Sequence, residues 1–231
     1  MPHRLSLPLL AVSALAAPQA AIAQSRDADV LDEINYARTH PQDYADELRQ
    51  YRGMFEGRIA YLPGESDGRT TREGVRAVDE AIAFLERQRP LSPLDPADLL
   101  AQAAADQADD QGRSGRIGHV GSGGRTIGQR VQRRGGGIYV SETISYGYSD
   151  PRDVVRQLIV DDGVATRGHR AILFASWLRY AGVGCGEHPV YTYMCVIDFS
   201  QTPDGRPIVP VSRDADERYD APASITGASP R

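Results

Sequence analysis

His119, Glu142 and His169 are the residues of this 231-residue chain whose types and settings could do chemistry. His119 lies in the glycine-rich stretch Ile117-Gly118-His119-Val120, and Glu142 sits inside a run of β-forming residues, 138–146. His169 belongs to the polar stretch 161–170, which interrupts two apolar segments at 154–160 and 171–178. A buried element rarely carries so much polarity unless that polarity has a partner or a task. Neutral imidazole is a good metal ligand, and a glutamate near a bound ion can act as a general base. The expectation is that the three places form one polar cleft. Each residue also has a plainer reading, as a surface histidine, a solvated strand position and a helix cap.

The elements that must position these residues follow from apolar spacing. Residues 26–54 read as helix, broken at His40-Pro41 because proline suits a first helical position. Val30, Leu31, Ile34 and Ala37 form the inner face before the break, and Tyr44, Ala45, Leu48 and Tyr51 the face after it. Residues 57–69 read as a surface loop and 71–88 as a third helix carrying Val75, Val78, Ile82 and Leu85 inward. Asp95 is the expected N-cap, with Pro96 in first position, of an alanine-rich helix reaching Gln111. Its inner face is Leu99, Leu100, Ala103 and Ala104, small enough on average for close approach. A short helix is expected at 126–134, a strand at 138–146, helices at 151–160 and 170–176, and paired strands at 179–186 and 191–200.

Composition is that of an ordinary globular chain, with 41% hydrophobic and 25% charged residues. Residues 1–23 read as a signal peptide: Arg4, an apolar run at 5–17, and the A-x-A site Ala21-Ile22-Ala23. The run is too short for the roughly 20 residues a bilayer needs, so no integral membrane segment is expected after cleavage. The protein is expected in the periplasm or the medium, and the absence of a lipobox cysteine near Ala23 argues against a lipid anchor. Every basic side chain is arginine; without Arg4, 25 arginines face 31 acids, which excludes nucleic acid as an expected partner. Arg125, Arg130, Arg133 and Arg134 are spaced as a solvated helix face, with binding of an acidic ligand the second reading. Two cysteines in an exported chain favour a disulfide, and a hairpin turning about Val190 sets Cys185 opposite Cys195. Residues 24–205 form one expected domain, with an inserted helical segment at about 52–90, and 206–231 a disordered tail.

Several local patterns occur in a telling order. Ile34-Asn35-Tyr36-Ala37-Arg38 opens the series, and the alanine-rich stretch 94–108 leads to Gly118-His119. Ser141-Glu142-Thr143-Ile144, Gly168-His169-Arg170-Ala171-Ile172-Leu173, Ala181-Gly182-Val183-Gly184-Cys185 and Asp198-Phe199 follow. This series resembles the CAP superfamily of cysteine-rich secretory proteins, antigen 5 and plant pathogenesis-related proteins of class 1, especially its short bacterial members. The resemblance spans residues 29–201. It implies an α+β fold, an α-β-α sandwich with a central, mainly antiparallel sheet between helical layers. It also implies an open cleft lined by two histidines and two acids, where the histidines can hold a divalent ion such as zinc. Here the histidines are His119 and His169 and the first acid is Glu142. The family's Trp-x-x-Glu is replaced by Leu158-Ile159-Val160-Asp161, which puts Asp161 at the second acid position with Asp162 as the alternative.

Three functions fit such a cleft. It could bind a small lipid, sterol or peptide without turnover, which the resemblance implies most directly. It could be a metal-assisted peptidase or esterase with Glu142 as the candidate base. Or the polar residues could form a buried network that fixes the fold. Paired cysteines leave no Cys/His nucleophile, and Ser141 lacks a G-x-S-x-G elbow. Oligomeric state is not readable from the sequence.

Overall fold

A computed structural model describes residues 17–64 and 67–208. Residues 1–16 of the expected signal and 209–231 of the expected tail lie outside the described residues. α1 (Ala17–Thr39) and α2 (Pro41–Arg52) are separated at His40, with Pro41 first in α2. Four strands form the central sheet: β4 (Asp95–Pro96), β5 (Val140–Tyr146), β6 (Tyr180–His188) and β7 (Thr192–Ser200). Their order is β4-β6-β7-β5; β4 runs parallel to β6 and the other pairs are antiparallel.

Alternation along β7 distributes the core to both faces of this sheet. Cys195, Ile197 and Phe199 pack with α1, α2, α3 (Val75–Arg87), α6 (Pro151–Val160) and α7 (Gly168–Leu173). Met194 and Val196 instead meet Ala104 and Ala108 of α4 (Asp98–Ser114) and Ile144 of β5. A third cluster joins α4 to Val131 of α5 (Ile127–Arg133). Helices therefore cover the sheet on two sides, giving an α-β-α sandwich of the α+β class.

The approach of α4 to β6 depends on glycine. A Cβ at Gly182 would lie 2.0 Å from the Ala101 nitrogen, and one at Gly184 would lie 2.4 Å from the Ala105 nitrogen. Both glycines face α4 because Ala181 and Val183 point the other way, into the larger core. At the far end of the β6–β7 hairpin Cys185 stands opposite Cys195 in the register, and the two form a disulfide.

Two residues of the opening motif tie α1 to distant chain. Asn35 pairs with both backbone groups of Leu94, at 2.7 and 3.0 Å. Arg38 is fully buried and donates to the Leu173 carbonyl at 2.5 Å and to Ser92 O. Burial pushes its guanidinium down to about 10.

The expected elements are corrected in three places. Residues 57–69 are not wholly loop: β1 (Phe55–Glu56), β2 (Ile59–Ala60) and β3 (Arg69–Thr70) form a small antiparallel sheet. The segment at about 52–90, expected to be helical, is thus part sheet and part α3, because two-residue strands carry no readable period. Asp95 does not cap a helix. Asp95 and Pro96 extend along β6, and α4 starts at Asp98 after Ala97, since the backbone of 95–97 is used by Arg179 and Ala181. Leu99 is half-buried on α4, while Gln107 and Gln111 are fully buried there.

Candidate functional site

His119 is held by its own loop before any acid touches it. Gly118, at φ 95°, adopts a backbone conformation that L-residues with a Cβ avoid. Its amide donates to Tyr146 Oη at 2.9 Å, and its carbonyl accepts from Gln107 Nε2 at 3.0 Å and Gln111 Nε2 at 2.5 Å. Tyr146 Oη in turn donates to Gln111 Oε1 at 2.7 Å. This clamp sets the ring of His119, whose Nδ1 meets Glu142 Oε1 at 2.8 Å. The other oxygen of Glu142 pairs with Arg130, and Arg130 Nη1 reaches back to the His119 carbonyl at 3.2 Å. The His119 side chain is 52% exposed while that of Glu142 is only 2% exposed, so Glu142 stands behind the imidazole and does not line the cleft itself.

His169 is built by the turn between two helices. Asp161 ends α6 in the left-handed region at φ 57° and is buried. Its Oδ1 meets His169 Nδ1 at 2.7 Å, and its Oδ2 accepts the His169 amide at 2.9 Å and the Arg170 amide at 3.4 Å. One carboxylate therefore caps α7 and fixes the ring on it. Arg170 is buried too, and donates from Nε to the Ile159 carbonyl at 2.5 Å and from Nη2 to the Val160 carbonyl at 3.0 Å. Those carbonyls have no successor turn in α6, so Arg170 closes the helix end. Arg167 anchors the turn through Glu73, just before α3, and Glu80, within it, at 2.7 Å each. Its guanidinium holds the Glu73 carboxyl down at about 2, helped by the Gly163 amide.

The two acid candidates separate cleanly. Asp161 takes His169. Asp162 lines the cleft, but its oxygens accept from the Arg72 and Glu73 amides at 2.6 and 2.8 Å, so it docks the turn onto the start of α3. The shorter reach of aspartate is offset by placing it at the αL position beside α7, where no long side chain is required.

His119 and His169 line the same cleft, of about 350 Å³. Tyr51, Phe55, Ile144 and Tyr148 give it apolar and aromatic surface, and Arg69, Asp153, Arg156 and Gln157 give it polar surface. Phe55, Arg69, Thr70 and Thr71 come from the segment 52–90, which forms one wall. Arg69 stacks on Tyr148 with its guanidinium carbon 4.3 Å from the ring centre, and Arg156 on Tyr51 at 4.2 Å.

Sequence reasoning misplaced Arg130 and missed Asp198. Arg130 is not on a solvated face; it is 4% exposed, and only its partner Glu142 explains why. Asp198 lies opposite Glu142 in the β5–β7 register, fully buried, and neither of its oxygens has a hydrogen-bond donor. Burial, and then the neighbouring Glu142 charge, push its carboxyl well above the usual range. A neutral Asp198 can donate to Glu142, leaving one negative charge against Arg130. The alternation of β7 was the available signal: Asp198 falls on the face of Met194 and Val196.

His188 is a structural histidine. Its Nδ1 accepts from the Val190 and Tyr191 amides at 3.2 Å each, which leaves Nε2 to donate to the Arg116 carbonyl at 2.9 Å. It ties the hairpin tip to the loop that carries His119.

The described residues form a layered α-β-α sandwich with two imidazoles, each held by an acid, on one cleft. The sequence model of the cysteine-rich secretory protein family, CAP, matches residues 31–199, and the chain belongs to that family. Among solved structures, an extracellular protein containing a SCP domain from Bacillus anthracis str. Ames is 22% identical with a TM-score of 0.42, over 54% of this chain and 40% of that one. An outer surface protein from Borrelia burgdorferi is 20% identical with a TM-score of 0.41, over 52% of this chain and 86% of that one. The chain thus matches less than half the length of the first. A search of curated proteins finds no match. No helix among the described residues is long and apolar enough to cross a membrane.

Proposed function

We propose that this is an exported binding protein whose cleft takes an amphipathic ligand, a peptide in preference to a lipid or sterol. The observation that carries this reading is how the two acids are used. Both oxygens of Glu142 and both of Asp161 are engaged by imidazole, guanidinium or backbone N–H groups. Acids so held orient their histidines and present no free base to the cleft, which counts against hydrolysis with Glu142 as base. The cleft is of a size that small ligands fill, within the range of about 300–1,000 Å³. Its aromatic surface is interleaved with charged and amide side chains, which suits a peptide's alternating apolar and hydrogen-bonding groups. The test is native mass spectrometry of the purified mature protein beside Thr71→Trp, which fills the cleft wall. A peptide adduct carried by the wild type and lost in Thr71→Trp supports the reading. A sterol or fatty-acid adduct, or turnover of a peptide library, defeats it.

A divalent ion such as zinc is part of this proposal. With each Nδ1 turned to a carboxylate, Nε2 of His119 and of His169 would hold the ion, an outer-shell arrangement common to metal-binding histidines. Among the described residues no group of three or more His, Cys, Asp or Glu side chains could hold a metal, so the protein would supply two imidazoles. Such an ion would supply Lewis acidity or a ligand anchor. Calorimetry should show zinc binding that disappears when His119→Ala and His169→Ala are combined; binding unchanged in that variant would remove the histidines from the site.

A further inference from the structure

On the α4–α5 side of the sheet, behind the Arg130–Glu142 pair, lies a second pocket of about 180 Å³ with no apolar side chain in its lining. α4 brings Gln107 and Arg113 to it, and Arg125, Arg130 and Arg133 come from the loop and helix that follow His119. We propose that this pocket binds hydrogen phosphate.

Charge supports the assignment. Arg130 is compensated by Glu142, and Asp106, also in the wall, by Arg134. Arg113, Arg125 and Arg133 have no ion pair among the described residues, and the remaining acid of the wall is Asp110, which accepts the Ser122 amide at 2.7 Å. Three guanidinium groups against one carboxylate leave two positive charges, which a hydrogen phosphate dianion matches. Planar guanidinium groups are also the side chains best shaped for phosphate oxygens.

Two buried atoms make the assignment more specific than a basic patch. Arg130 is 4% exposed and Gln107 fully buried, yet Arg130 Nε and Gln107 Oε1 have no hydrogen-bond partner. Each is a polar group that burial penalises until it is paired. One is a donor and one an acceptor on residues that line the pocket, so a ligand that both accepts and donates matches them best. The amide of Gln107 cannot be reversed to avoid this, because its Nε2 is committed to the Gly118 carbonyl at 3.0 Å. Free phosphate keeps an O–H at neutral pH. Sulfate has none, and a phosphomonoester, with a second pKa of about 6, has mostly lost its own. The lining is also kept open: a Cβ at Gly121 would lie 2.9 Å from Gln107 Oε1 and 3.3 Å from Asp110 Oδ2. The space equals about six waters at ~30 Å³ each, room for a tetrahedral oxyanion with part of its hydration.

The site is separate from the proposed peptide cleft but joined to it by the chain Arg130, Glu142, His119. The experiment is calorimetric titration of the mature protein in phosphate-free buffer with inorganic phosphate, sulfate and phosphoserine at matched ionic strength. Saturable phosphate binding is expected, with sulfate and phosphoserine weaker. Arg125→Gln combined with Arg133→Gln should weaken phosphate binding by about tenfold per guanidinium, with an unchanged melting temperature in phosphate-free buffer. Absence of saturable phosphate binding, or full affinity in the double variant, overturns the site. Sulfate or phosphoserine bound as tightly as phosphate overturns the assignment to free hydrogen phosphate. If the double variant proves unstable, Arg113→Gln, on an exposed residue of the opposite wall, makes the same test.

Discussion

At the scale of single residues, the cleft rests on an asymmetry between exposed rings and buried acids. His119 is half-exposed and its partner Glu142 is not, so the two substitutions should differ sharply in cost. His119→Ala should change stability by less than about 1 kcal/mol, because it removes little packing. Glu142→Gln leaves Arg130 buried opposite an uncharged amide, and should cost on the order of 3 kcal/mol in denaturant midpoint analysis. Replacing the pair together, Arg130→Met with Glu142→Leu, should recover most of that loss, since the charge and its counter-charge leave at once. A double variant as unstable as Glu142→Gln alone would show that the pair contributes more than mutual compensation. Asp198 makes the opposite prediction. It is a buried acid without a donor, held neutral at the expense of its ordinary ionisation, and an amide can supply the same hydrogen to Glu142. Asp198→Asn should therefore raise stability at neutral pH, by on the order of 1 kcal/mol, and leave ligand and zinc binding intact. A melting temperature lowered by that substitution would mean Asp198 is ionised and paired in the native state.

At the scale of elements, the contact of α4 with β6 is the joint that everything else presumes. α4 carries the two glutamines that clamp Gly118, and β6 forms the middle of the sheet. Gly182→Ala drives a methyl into the α4 backbone and should cost about 3 kcal/mol or more, with no side chain able to give way. By contrast Gly186→Ala meets only the Ala108 methyl at 3.8 Å and should be tolerated. Equal effects of the two would show that α4 can slide. Reduction of the Cys185–Cys195 bridge, which closes a short hairpin, should cost roughly 2–4 kcal/mol. These elements also show what a sequence can and cannot display. The helices α2, α3 and α6 have full apolar stripes, α1 has one only from Val30 to Ala37, and the hairpin has alternation plus two cysteines, so these stretches could be read from spacing. β1 to β3 are two residues long and could not. His119 and His169 stand out as histidines flanked by glycine, whereas Arg130 has the helical spacing of a solvated arginine and differs from its neighbours only in what it meets across space. Asp161 and Asp162 are adjacent and chemically alike; only the reversal of the chain at φ 57° assigns one to His169 and the other to α3.

At the scale of the whole molecule, the same burial that builds the cleft sets how stability varies with pH. Burial raises the carboxyls of Asp27, to about 6, and of Glu33, Asp153 and Asp198. For each, the unfolded chain ionises first, near 4, so native stability is lost as pH rises toward the raised native value. Glu73, held at about 2 by Arg167, has the opposite sign: its stabilisation is complete above its unfolded value near 4.3 and disappears as pH falls toward 2. Glu80 is lowered by the same arginine and behaves in the same way. Between about pH 5 and pH 7.5 the lowered acids have therefore already given nearly all they contribute, while Asp27, raised to about 6, is still withdrawing stability. The chain's formal charge of −5 at pH 7 adds self-repulsion in the same direction, and its isoelectric point near 5.5 removes it. Denaturant midpoints should accordingly be higher near pH 5 than near pH 7.5, by on the order of 1 kcal/mol after allowance for solvent screening at half-exposed Asp27. Asp27→Asn combined with Asp198→Asn should flatten that slope, because it removes two of the groups that ionise late in the native state. A wild-type profile that rises from pH 5 to 7.5, or a slope unchanged in the double variant, would place the pH dependence elsewhere than in these buried acids.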